Sequence, residues 1–85
     1  MEKQEILDVI KENLAAVVEG VSVDQIDPKK AMDEYGASSL DVIEMLSNSM
    51  RQLKLKIPRT ELGHIKNIEE LVDTFYQYAN NKGEA

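Results

Sequence analysis

Apolar residues near the start of the chain recur at spacings of three and four: Ile6, Leu7, Ile10, Leu14, Val17 and Val18. That period puts them on one face and predicts a helix over 3–18 that buries it. Glu2, Glu5 and Asp8 stand in its early turns, where negative charge suits the helix dipole, and Gly20 marks its end. The pattern returns in Leu40, Ile43, Leu46, Met50 and Leu53, which predicts a helix over 39–55 with this stripe toward the core. Ile57-Pro58 would close it, because a residue before proline is pushed out of the helical region. Val42 and Met45 fall off the stripe, leaving edge packing and contact with a partner both open. Residues 59–65 suffice for one or two helical turns. A last helix over 67–80 follows, with Asn67 and Glu70 as its capping pair and Ile68, Leu71, Val72 and Phe75 buried, joined by Tyr78 or Ala79.

The connection over 20–38 is too long to hang free in a compact domain. Val23, Ile26, Met32 and Tyr35 are the residues able to pin it, Asp27-Pro28 marks a turn, and Pro28–Met32 can hold a short helical turn. The expected fold is therefore all-α: a small four-helix bundle of three main helices plus one short helix, with a long first loop. It occupies a single domain over 1–85, with a frayed tail at about 81–85.

The densest chemical signal lies where the second main helix begins, at Gly36-Ala37-Ser38-Ser39-Leu40-Asp41. Ser38 with Asp41 three residues on fits a helix-capping pattern, and Gly36 supplies the backbone freedom of a tight entry. Ser38 then caps, while Ser39 takes the first helical position with its hydroxyl free of that duty. The positive end of the helix dipole beside Ser39 suits an attached phosphate. Taken alone, the stretch reads more simply as plain capping.

Charge and composition narrow the function. The chain of 85 residues has a net charge of −6, with eleven acids against four bases in residues 1–50 and five against six in 51–85. Acidity discourages phosphate backbones, and Tyr35, Phe75, Tyr76 and Tyr78 are not interleaved with bases, so nucleic acid is not an expected partner. Cysteine is absent, which excludes disulfides and thiolate metal sites. The N-terminus carries no long apolar run, so neither a signal peptide nor a membrane span is expected and the setting reads as cytoplasmic. With one histidine, His64, read as a surface or boundary residue, no metal site is expected. A catalytic triad would need Ser39, His64 and an acid to converge in a pocket that so small a bundle has little volume to build. Ser39 is read as acted upon, and the chain as not an enzyme.

At this point the order of parts resembles the acyl carrier protein family. Gly36-Ala37-Ser38-Ser39-Leu40-Asp41 is similar to that family's Gly-x-Asp-Ser-Leu motif apart from one residue, Glu44 matches an acid one turn later, and Ile57-Pro58 resembles the family's Ile-Pro after helix two. The resemblance covers roughly residues 3–80. It implies 4′-phosphopantetheine on Ser39, installed by a phosphopantetheinyl transferase, with Gly36, Ser38 and Leu40 around the attachment point. It implies a monomeric carrier of acyl groups held as thioesters, serving acyl-transferring, condensing and acyl-modifying enzymes of a dedicated fatty acid, polyketide or related pathway. Asp41, Val42, Glu44, Met45, Arg51 and Lys54 are then the candidate partner contacts. Leu46, Met50, Ile57, Ile65 and Ile68 are candidates to line an acyl-chain interior, although the same residues serve equally as core. An aminoacyl or peptidyl carrier shares the motif, and an unmodified helical interaction module is a further alternative.

Two departures from the family stand out. Ser38 replaces the usual acid, which keeps a cap but removes a charge beside the attachment point. Residues 51–59 carry four positive charges and no acid. They make either an ordinary solvated face or a changed partner face that favours a dedicated set of enzymes; the second reading is taken here.

Overall fold

The computed structural model describes residues 1–63 and 65–81. The expectations for His64 and for the tail at 82–85 lie outside them. The described chain folds into four helices, α1 (Lys3–Val17), α2 (Ser39–Leu53), α3 (Arg59–Leu62) and α4 (Ile68–Asn81), as the hydrophobic pattern predicts. α1 packs against both α2 and α4. Ile6, Ile10 and Leu14 form its buried edge at intervals of four. From α4, Ile68, Leu71, Val72 and Phe75 enter the same core. Asn67 caps α4, its side-chain oxygen accepting from the Glu70 N–H at 2.8 Å, while the Glu70 carboxylate accepts from the Lys66 N–H at 3.1 Å.

The long first connection is anchored to α4. The Met32 N–H donates to the Lys66 carbonyl at 3.0 Å, and the Glu69 N–H, one of the otherwise unpaired donors of the first turn of α4, donates to the Pro28 carbonyl at 2.9 Å. Ile26 and Met32 are buried, whereas Val23 and Tyr35 are half-buried. Tyr35 also holds the loop together through hydrogen bonds between its hydroxyl and the Asp27 backbone. The helical turns fall elsewhere than expected, at Val23–Gln25 and Met32–Tyr35 and not at Pro28–Met32. The Asp27 side chain accepts from the Lys29 N–H at 3.0 Å and turns the chain there, while Gln25 and Glu34 each accept a backbone N–H three residues back and fix the two short turns.

α2 departs from its expected orientation. Leu40 is 77 % exposed and Ile43 42 %, while Met45 is fully buried, followed by Ser49 and Leu53 at intervals of four. The stripe drawn through Leu40 and Ile43 is thus rotated away from the core, and the one through Met45, Ser49 and Leu53 faces it. α2 also ends earlier than the proline implies. Lys54 adopts the left-handed conformation (φ 59°, ψ 43°), and the Leu55 N–H reaches back to the Met50 carbonyl at 2.9 Å. With the Lys54 N–H on the Arg51 carbonyl at 3.3 Å, this is a Schellman stop built on a non-glycine residue. Buried Leu55 and Ile57 then carry the chain to α3.

Candidate functional site

The entry into α2 is set by three residues in turn. Gly36 sits at φ 82°, ψ 11°, a conformation that carries a steric penalty for residues with a Cβ, and its N–H closes the preceding turn on the Asp33 carbonyl at 3.0 Å. Ala37 is buried and fixes the loop against the core. Ser38 then caps. Its hydroxyl oxygen accepts from the Asp41 N–H at 3.1 Å and the Asp41 carboxylate accepts from the Ser38 N–H at 3.0 Å. This reciprocal box leaves Ser39, the first residue of α2, exposed and without a capping role. The expectation that Ser38 takes the cap and frees its neighbour therefore matches the geometry.

A groove of about 450 Å³ opens beside Ser38 and Ser39. One wall comes from α2 through Val42, Ile43, Leu46 and Met50, and the other from Leu62 and Ile65. Asp33 and Arg59 are its charged borders. An exposed nucleophilic oxygen at the positive end of a helix, next to a long apolar trough, suits a phosphate-linked group with an apolar cargo. Among the described residues no three metal-ligating side chains cluster.

The other sequence-predicted residues divide. Gly36, Ser38, Ser39 and Leu40 are contiguous at the helix mouth. Leu46, Met50 and Ile65 border the groove, but Ile57 and Ile68 do not; both are buried in the core. Met45 has no exposed surface and is unavailable to a partner, because the rotation of α2 turns it inward. Val42 is half-buried as a wall of the groove, and Asp41 is half-buried with its carboxylate committed to the cap. Glu44, Arg51 and Lys54 are exposed. The sequence marks Arg59 only as the end of the basic run 51–59 and does not mark Asp33 or Leu62, since only the approach of α3 and the first loop to α2 makes all three neighbours of Ser39.

Comparison with known proteins meets this geometry. Residues 8–75 match the family model described as "Phosphopantetheine attachment site". The chain is 37 % identical over 76 residues to the polyketide biosynthesis acyl-carrier-protein AcpK of Bacillus subtilis, covering 89 % of this chain and 93 % of that protein. It is 30 % identical over 74 residues to an acyl carrier protein of Chlorobium luteolum, covering 86 % and 94 %. It is 29 % identical over 72 residues to one of Chlorobium phaeobacteroides, covering 84 % and 86 %. No solved structure matches the chain. Members of this family are carriers and not enzymes, and the cofactor of the family is 4′-phosphopantetheine. With a family model spanning most of its length and relatives matched nearly end to end, the chain belongs to the phosphopantetheine-bearing acyl carrier protein family.

Proposed function

We propose that this protein carries acyl intermediates of a dedicated pathway, polyketide assembly being the reading best supported, on a phosphopantetheine arm attached to Ser39. The observation that carries the proposal is the division of labour between adjacent serines: Ser38 is tied into the cap, and Ser39 stands exposed at the helix mouth. In the loading step the Ser39 oxygen forms a phosphoester bond with the pantetheine-bearing phosphate of coenzyme A, and the nucleoside bisphosphate leaves. The serine proton passes to a base of the transferase, because among the described residues none is hydrogen-bonded to the Ser39 hydroxyl. When bound, the arm supplies a terminal thiol that holds an acyl group as a thioester. The chain's own residues do the rest. The α2 dipole favours the phosphate, the groove walls Leu46, Met50 and Ile65 shelter an apolar cargo from water, and exposed Leu40 and Glu44 offer contacts to partner enzymes. Tethering raises the local concentration of cargo at each enzyme. The higher identity to a carrier named for polyketide biosynthesis supports a dedicated pathway over general fatty-acid synthesis.

Coexpression with a broad-specificity phosphopantetheinyl transferase tests the proposal. Intact mass should rise by one phosphopantetheine in the wild type and not in Ser39→Ala, whose circular dichroism should match the wild type. An unmodified wild type, or a modified Ser39→Ala, overturns it.

A further inference from the structure

Resting on the carrier reading above, we propose that the corner where α2 turns into α3 docks against an acidic patch on the enzymes this protein serves. Arg51, Lys54, Lys56 and Arg59 form it, all four exposed. No acidic residue lies between Glu44 and Glu61, in a chain whose net charge is −6. Among the described residues none of the four enters an ion pair; the salt bridge found there, Lys3–Asp73 at 3.0 Å, joins α1 to α4. Arg51 has only the neutral side chain of Asn48, at 3.5 Å. Four like charges within nine residues of chain repel one another, and no salt bridge among the described residues neutralises any of them. A surface of opposite sign does.

The charge pattern along α2 identifies that surface as protein. Leu40, Ile43, Glu44, Ser47 and Arg51 are all exposed along the helix. Glu44 and Arg51 are seven residues apart, about 10 Å along the axis. That is about one Debye length at 0.1 M salt, so the acidic and basic ends act as separate patches. A uniformly anionic surface, whether a phosphate backbone or acidic lipid headgroups, would bring its charge against Glu44 as it covered Arg51, and against Asp33 as it covered Arg59 on the shared groove border. A folded partner can match each end in turn: basic opposite Glu44, apolar opposite Leu40 and Ile43, acidic opposite the corner. Arg59 belongs both to the corner and to the border of the groove beside Ser39, which places the docked edge next to the attachment point.

The test uses the full chain loaded with phosphopantetheine, as wild type, R51E/K54E/K56E and R51Q/K54Q/K56Q. The probe is the condensing enzyme of the same source pathway, assayed for KM of the carrier and for kcat. Charge reversal should raise KM by about tenfold or more with kcat little changed, and the glutamine variant should fall between. For the wild type, KM should climb as NaCl rises from about 50 to about 500 mM. An unchanged or lowered KM in both variants overturns the proposal. So does wild-type binding to phosphatidylglycerol vesicles that charge reversal abolishes, which would assign the corner to lipid. Intact mass and circular dichroism on the same samples separate the failures. Loss of loading in every form strikes the carrier reading, whereas a folded, loaded variant with unchanged KM strikes the docking corner alone.

Discussion

Ser49 provides the sharpest check on the packing of α2. It lies at the centre of the buried stripe, fully enclosed between Met45 and Leu53, and its hydroxyl has no hydrogen-bond partner among the described residues. A buried hydroxyl left unpaired costs about 1–3 kcal/mol relative to one solvated in the unfolded chain. Replacing it by alanine removes that cost and adds a few tenths of a kcal/mol of helix propensity. Against this stands the void left by a single oxygen, which at about 24 cal/mol per Å³ takes back a few tenths. The balance for Ser49→Ala is a gain of about 1 kcal/mol, which in a domain of this size raises Tm by about 4–8 °C. Urea unfolding followed at 222 nm measures it, with the midpoint shifted upward and the slope unchanged. A loss of stability would contradict this packing. It would mean that the hydroxyl is bonded in solution, most simply to the Met45 carbonyl one turn back, or that α2 is rotated so that Ser49 meets water.

Other positions give independent checks. Lys54→Gly should stabilise the protein by up to about 1 kcal/mol in urea titrations, because a left-handed residue with a Cβ costs about 1–2 kcal/mol before the added entropy of glycine is counted; a clear loss would mean that the α2 stop is not left-handed. Gly36→Ala should cost about 1–2 kcal/mol although no atom lies within 4 Å of the added methyl, so thermal melts should show a lower Tm with the fold intact. Moderate NaCl should raise the wild-type Tm, since eleven acids against four bases in residues 1–50 repel one another; a fall in Tm would contradict that account of the charge.

How far the sequence leads is decided residue by residue. α1 and α4 are legible because each carries one unambiguous apolar stripe, and the α4 cap is read directly from Asn67 and Glu70. The mouth of α2 is legible too, since Ser38 and Asp41 can reach one another only through local geometry. The orientation of α2 is not. Two stripes compete there, one through Leu40, Ile43, Leu46 and Met50 and the other through Val42, Met45 and Leu53, and the serine at position 49 disguises the second. Burial settles the choice through contact with α1, which local pattern does not encode. The same misplaced rotation assigned Met45 to a partner and hid the exposure of Leu40. The stop at Lys54 was also illegible, because left-handed caps are expected at glycine or asparagine and the nearby proline offered a simpler ending. Arg59 and Leu62 became neighbours of Ser39 only through tertiary approach.

One of two adjacent serines is free because the other is bound into the cap. Peptide-level fragmentation of the transferase-modified protein distinguishes the two, since backbone cleavage between Ser38 and Ser39 assigns the added mass to one of them. Phosphopantetheine should be found on Ser39 alone. Finding it on Ser38, or on any residue other than Ser39, would contradict it.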